Sequence, residues 1–367
     1  MLNKKILILS VGYGKGHHSA AYAMAEHYEQ CGWPARVVDV CQLAQPWLFR
    51  LTQQFYNFCV RRMPWLWGVT YALTDTADWS RLIRGPGLRP VMNCLARILH
   101  SENPDVIICT YPLFAYMLDE LKRQRGCNVP YAVLVTDARE ISQPWLRSEA
   151  PLVIVPDEGS RGMILERYAM QGETIVAAGF PVRRAFVPAR ECMMPHDGQM
   201  RVVYGAYRQR RGVEDDLSAL LNHFPHMTVT VLAGRHERYL NQLFAAQCQM
   251  GRLVVLRESD DMPRLLQEHH LYIGKAGAAT MFECYASDVP MIVNFTLPGQ
   301  EQGNLELMLE DGVGRHVEST AHLVDTLRLL LADDAAVWRS MKQKLAESSR
   351  KKAAERIAQV IERKLLA

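Results

Sequence analysis

Short apolar runs that alternate with helical stretches, a repeat of that plan in the second half, and a glycine turn behind the first run predict an α/β chain of two doubly wound domains. With 367 residues and 49% hydrophobic content, the chain is long enough for two sizeable cores. The first half opens on the strand Lys5 to Val11, followed by an alanine-rich helix from Ser19. Strands follow at Ala35 to Val40, Val106 to Thr110, Tyr131 to Thr136 and Leu152 to Pro156. The second half repeats the pattern at Arg201 to Tyr204, Thr228 to Ala233, Leu253 to Arg257, Leu271 to Gly274 and Met291 to Phe295. Between the halves, turn formers from Gly179 to Pro188 and a polar stretch to Gln199 suit a linker. The expected division is residues 1–181, a linker at 182–200, a second domain at 201–345 and a C-terminal helix at 346–367. A helical pattern from Ala335 to Leu366 is expected to fold back across the first domain.

The nine cysteines form neither a CxxC pair nor a zinc-ligand spacing, which points to reduced thiols and no metal site. The apolar run at Ile6 to Leu9 is too short for a signal peptide, and no stretch approaches the length of a spanning helix. Net charge is +3, but it is unevenly placed. Between Pro46 and His100 there are seven arginines against Asp75 and Asp78, so the rest of the chain is net negative. Trp47, Trp65 and Trp67 stand in that segment with Arg61 and Arg62, as expected of a membrane-facing surface. The competing reading is a helical lid with buried aromatics. Nucleic acid is not expected, because the segment is more apolar than a phosphate-tracking stripe.

The first strand ends in Gly12-Tyr-Gly14-Lys-Gly16-His17-His18, where Gly14 and Gly16 let a ligand approach the backbone. A dinucleotide fingerprint is the obvious competitor, with Asp39 at a suitable distance, but its third glycine position is His17. His17 thus sits where ligands of open α/β sheets bind and can take a proton from an attacking hydroxyl; alternatively it only caps or packs. His18 points elsewhere on the helix and reads as structural.

In the second half, Lys275, Ala276 and Gly277 form a tight turn into a helix spanning Ala279 to Tyr285. Its opening N–H groups suit a diphosphate. Thr280 lies in its first turn. Glu283 can accept two ribose hydroxyls, or can simply solvate the helix. Gln300, Glu301 and Asn304 after Pro298-Gly299 offer amides and carboxylates to sugar hydroxyls.

These residues carry a resemblance. The loop ending in His17, the pattern KAGxxTxxE at Lys275 to Glu283, and PGQExGN at Pro298 to Asn304 resemble the monogalactosyldiacylglycerol synthase and processive diacylglycerol glucosyltransferase family, related to MurG. Thr136-Asp137 and Gly179 to Arg183 extend the likeness over most of the chain. The resemblance implies a GT-B fold with two Rossmann-like domains facing a cleft, and a UDP-sugar held mainly by the second. It implies inversion at the anomeric carbon, His17 as general base, Glu283 as ribose ligand, and Gln300 and Asn304 as donor-sugar ligands beside Glu301. Asp137 would position the acceptor or the base. No cofactor is expected, since the UDP-hexose is a co-substrate. The expected acceptor is a membrane lipid of diacylglycerol type, at the cytoplasmic face of the cell membrane. A polyprenyl-linked acceptor and a non-catalytic binding protein are the rival readings.

The chain departs from the family in two places. The usual glycine-rich turn after the first strand of the second domain is replaced by Tyr204-Gly-Ala-Tyr-Arg-Gln-Arg-Arg-Gly212, where Arg208, Arg210 or Arg211 could supply charge to a diphosphate. A histidine usual after the Thr-Asp pair is replaced by Glu140 to Pro144.

Overall fold

The computed structural model describes residues 3–12, 16–62, 79–168, 172–188, 199–297 and 301–366. Gly14, Trp65, Trp67 and Gln300 lie outside these residues, as do the side chains of Arg61 and Arg62. The chain divides into two compact units. The first comprises Met1–Arg184, Leu297–Gly303 and Lys352–Ala367; the second comprises Ala185–Thr296 and Asn304–Lys351.

In the first unit, β1 (Ile6–Leu9), β2 (Ala35–Val38), β3 (Val106–Cys109), β4 (Tyr131–Leu134), β5 (Leu152–Val155) and β6 (Ile175–Ala177) form one sheet in the order β2-β1-β3-β4-β5-β6. All its pairings are parallel. Strands β1, β3, β4 and β5 are buried at every residue, which explains their uninterrupted apolar runs: a parallel sheet covered on both faces has no solvent side to mark with polar residues. The chain order reverses between β1 and β3, a switch point where loops diverge and leave room for a ligand.

The second unit holds β7 (Arg201–Gly205), β8 (Thr228–Leu232), β9 (Leu253–Leu256), β10 (Leu271–Lys275), β11 (Met291–Phe295) and β12 (Gly314–His316), ordered β12-β11-β10-β7-β8-β9. It is also wholly parallel, and its switch point lies between β7 and β10. Each sheet has its own core, one centred on residues such as Leu9, Phe114 and Val133, the other on Val202, Leu217 and Trp338.

Two strands, β6 and β12, have no counterpart in the apolar pattern, because each is a three-residue edge strand too short to show a period. The single helical stretch expected from Ala335 to Leu366 is corrected. The helix starts earlier, spans Thr320–Glu347 with non-helical backbone at 332–335, and is followed by a separate helix Ala353–Leu365. A 3-10 turn at Ser349–Lys352 separates them. The last helix packs on the first unit, where Arg356 Nε donates to the Ala178 carbonyl at 3.2 Å.

Candidate functional site

Alanines at 20, 21, 23 and 25 let the helix Gly16–Gln30 lie close on the first sheet, so its first turn is held at the C-terminal end of β1. An added Cβ at Gly16 would meet nothing within 4 Å among the described residues. His17 is only 9% exposed. Its Nδ1 lies 2.9 Å from the Thr136 hydroxyl after β4, and it shares a backbone hydrogen bond with Thr110 after β3. Tyr111 meets its ring edge-on at 5.1 Å between centroids, and Trp145 lies at 6.0 Å. Burial pushes the imidazole from 6.5 down to about 4, against the upward pull of the Thr110 bond. His17 is therefore neutral near pH 7, the state a proton acceptor requires.

Asp137 is also buried. Burial pushes its carboxyl from 3.8 up to about 6; the Trp145 N–H, donating at 3.1 Å, pulls down, and the Glu301 carboxylate pushes up. Trp145 thus touches both candidate groups, by its N–H to Asp137 and by its ring to His17. Thr110, Tyr111 and Trp145 escape sequence reasoning because parallel strands bring the β1, β3 and β4 loops together from distant positions. Only Thr136-Asp137 carried a local signal.

His18 faces away, as its helix position implies. Its Nδ1 is 2.8 Å from Ser10 Oγ and its Nε2 is 3.8 Å from Asp39 Oδ2. The Asp39 carboxylate also accepts the N–H groups of Gly12 and Gln42, at 3.0 and 2.9 Å. Asp39 is thereby spent on holding its own loop, which removes the ribose-binding acid a dinucleotide fold would need.

In the second unit, Gly205 and Gly274 stand on neighbouring strands because Tyr272 lies across both: a Cβ at either would fall within 2.8 Å of its hydroxyl. This clears the C-terminal edge of the sheet. Lys275 ends β10 with its ammonium 5.6 Å from the Tyr207 ring centroid, Ala276 is buried, and Gly277 leads into the helix Ala278–Ala286. No side chain caps that helix, and Gly277, Thr280 and Glu283 recur every third residue along one partly exposed face. That geometry offers backbone N–H groups and a carboxylate to a nucleotide diphosphate and its ribose. Asn304 is 1% exposed and its Nδ2 donates to the Ala276 carbonyl at 3.0 Å, so it braces this turn from behind.

Glu301 belongs to the first unit. Its carboxylate accepts the Leu297 N–H at 3.0 Å, closing the turn. Gly303 lies against the turn after Asp137, where an added Cβ would stand 2.2 Å from the Ala138 carbonyl and 2.6 Å from the Glu140 nitrogen. The three arginines of the altered loop separate. Arg208 pairs with buried Asp216 at 2.7 Å, Arg210 with Glu214 at 3.4 Å, and Arg211 is exposed without a partner among the described residues.

Trp47 opens the helix Pro46–Arg62 and is 68% exposed. Leu51, Phe55 and Phe58 follow at 57%, 53% and 49%, so the four form one outward apolar stripe, while Phe49 and Cys59 face in. No described helix is long and apolar enough to cross a membrane.

Residues 17–182 match the monogalactosyldiacylglycerol (MGDG) synthase family, and residues 228–363 match the glycosyltransferase family 28 C-terminal domain. A processive diacylglycerol beta-glucosyltransferase of Bacillus cytotoxicus is 26% identical, with 98% of this chain and 93% of that protein covered. The crystal structure of Acinetobacter baumannii MurG resembles the chain with a TM-score of 0.60 at 13% identity, covering 98% of this chain and 99% of that one. A UDP-GlcNAc 2-epimerase from Neisseria meningitidis, bound to UDP-GlcNAc, gives 0.59 at 12% identity, covering 98% of this chain and 100% of that one. At these identities the structural likeness is one of fold, and that fold is GT-B.

Proposed function

Because residues 17–182 match the monogalactosyldiacylglycerol synthase family and residues 228–363 the glycosyltransferase family 28 C-terminal domain, we propose an inverting hexosyltransferase that moves a hexose from a UDP-sugar to a membrane lipid. Diacylglycerol is the favoured acceptor, in keeping with the diacylglycerol glucosyltransferase of Bacillus cytotoxicus. The observation that carries the reading is His17, nearly buried and fixed by Thr136 at the mouth of the first sheet.

The acceptor hydroxyl attacks the anomeric carbon from the side opposite UDP. His17 takes its proton, the bond to the diphosphate oxygen breaks, and the configuration inverts. Negative charge grows on the leaving diphosphate, where Lys275 and the uncapped helix Ala278–Ala286 can stabilise it. Glu283 binds the ribose and Gln300 the sugar, while buried Asn304 and Glu301 hold the chain at Ala276 and at Leu297. Asp137 positions the acceptor or the base. Residues 1–181 carry the acceptor and membrane side, and residues 201–345 the donor side. The stripe at Trp47, Leu51, Phe55 and Phe58, with the arginines of its segment, would rest the enzyme peripherally on an anionic cytoplasmic leaflet.

Incubation with diacylglycerol vesicles and a panel of UDP-hexoses, with products read by mass, tests the reading. A glycolipid from at least one donor, lost in His17→Ala, is expected. If a polyprenyl-linked acceptor is used instead, the donor half of the reading stands and the lipid assignment fails. UDP binding with no product from any pair would favour a binding protein.

A further inference from the structure

We propose that Arg208 is the arginine of the altered loop that receives the donor diphosphate, and that Asp216 is the positioning residue that aims it. The proposal rests on the UDP-sugar reading and narrows the loop's three arginines to one. The loops after β7 and β10 flank the switch point of the second sheet, and Lys275 lies over Tyr207, so the two loops share one rim.

Asp216 is fully buried, and both its oxygens are saturated. Oδ1 accepts from Arg208 Nη1 at 2.7 Å and from the Thr320 hydroxyl at 2.6 Å. Oδ2 accepts from the Tyr204 hydroxyl at 2.7 Å and from Asn294 Nδ2 at 3.1 Å. The carboxylate is therefore fixed by β7, β11 and the start of the helix Thr320–Glu347, and can hold Arg208 in one orientation. Buried ion pairs of this kind contribute little to stability compared with apolar packing, so a directional role is the better account of this one.

A guanidinium has five N–H donors, and the bond to Asp216 is the one that Arg208 makes among the described residues. Its side chain is 23% exposed, so the remaining donors reach solvent. They lie across Gly212, whose added Cβ would stand 3.1 Å from Nε and 3.4 Å from Nη2. Gly212 is in the first turn of the helix Arg210–His223, where no side chain caps the N–H groups. Arg210 and Arg211 also crowd that positive helix end, an arrangement that an anion would relieve. Arg210 itself is turned outward, with its guanidinium 4.8 Å from the Tyr239 ring centroid.

Calorimetric binding of UDP, UMP and uridine to the full chain tests this without acceptor or membrane. Arg208→Lys keeps a charge for Asp216 but loses the fork, and UDP affinity should fall about tenfold or more while uridine affinity holds. Thr320→Val, which loosens Asp216 without touching charge, should lower the UDP-to-uridine affinity ratio in the same direction, read below an unfolding midpoint that the lost bond lowers by a few degrees. Arg264→Ala, an exposed arginine paired with Glu268, should change neither. A wild-type ratio in both Arg208→Lys and Thr320→Val overturns the proposal while leaving the UDP-sugar reading intact. Should Arg208→Lys fail to fold, the Thr320→Val ratio decides. A wild-type protein that binds no UDP overturns both.

Discussion

His17 and Asp137 are both buried in the first unit, yet burial moves their proton affinities in opposite directions, to about 4 and about 6. In both cases the charged form is penalised, the imidazolium on the acid side and the carboxylate on the alkaline side. For Asp137 the folded value lies above the ordinary 3.8, so its contribution is fully present below that pH and lost as pH rises through about 6. The loss is on the order of 3 kcal/mol. Asp137→Asn, which keeps an acceptor for Trp145, should therefore raise stability at pH 8 and not at pH 4, while lowering turnover. Equal shifts at the two pH values in urea denaturation would refute the assignment. For His17 the folded value lies below 6.5, so stability is lost as pH falls from 6.5 through about 4. In His17→Gln that acid-side loss should vanish, read by the same denaturation series. Some of this chemistry was legible: a histidine after a glycine turn and a Thr-Asp pair at a strand end are local signals. Trp145 was not, since nothing in a tryptophan eight residues beyond Asp137 shows that its N–H turns back.

Among elements, the turn from Leu297 to Gly303 carries a prediction of its own. Gly303 meets backbone atoms of residues 138–140, which cannot yield as a flexible side chain would. Gly303→Ala should cost about 1–3 kcal/mol of stability or displace the turn and cut turnover. Unchanged melting and unchanged activity together would show that the turn does not dock there. The same turn marks the limit of linear reading. Its PGQExGN pattern announced a sugar pocket, but the sequence gives no sign that Glu301 closes the turn and raises Asp137, or that Asn304 braces Ala276. The ten longer strands were legible because continuous apolar runs are what a doubly covered parallel sheet demands. The arginine-bearing loop was legible as a departure, whereas Asp216, the partner that sorts its arginines, lay one helical turn further on among ordinary surface-like residues.

For the molecule as a whole, a shared GT-B fold does not choose between a transferase and the epimerase of similar shape, so what sets this chain apart is where it puts charge and apolar surface. Net charge is only +3, yet the segment from Pro46 to His100 is strongly basic and the remainder is net negative. Attraction to an anionic surface would therefore be local, at about 1 kcal/mol per arginine near the membrane, and screened beyond about 10 Å at moderate salt. The apolar stripe of the helix Pro46–Arg62 would contribute separately and without regard to salt. Two independent contributions predict two independent responses in vesicle sedimentation. Raising salt should weaken binding to anionic vesicles several-fold and leave the weaker binding to neutral vesicles nearly unchanged. Leu51→Ser with Phe55→Ser should weaken both by about tenfold or more, since each side chain withdraws apolar area from water on docking. If salt has no effect on anionic vesicles, the basic segment does not face the membrane; if the double substitution has none, the stripe does not.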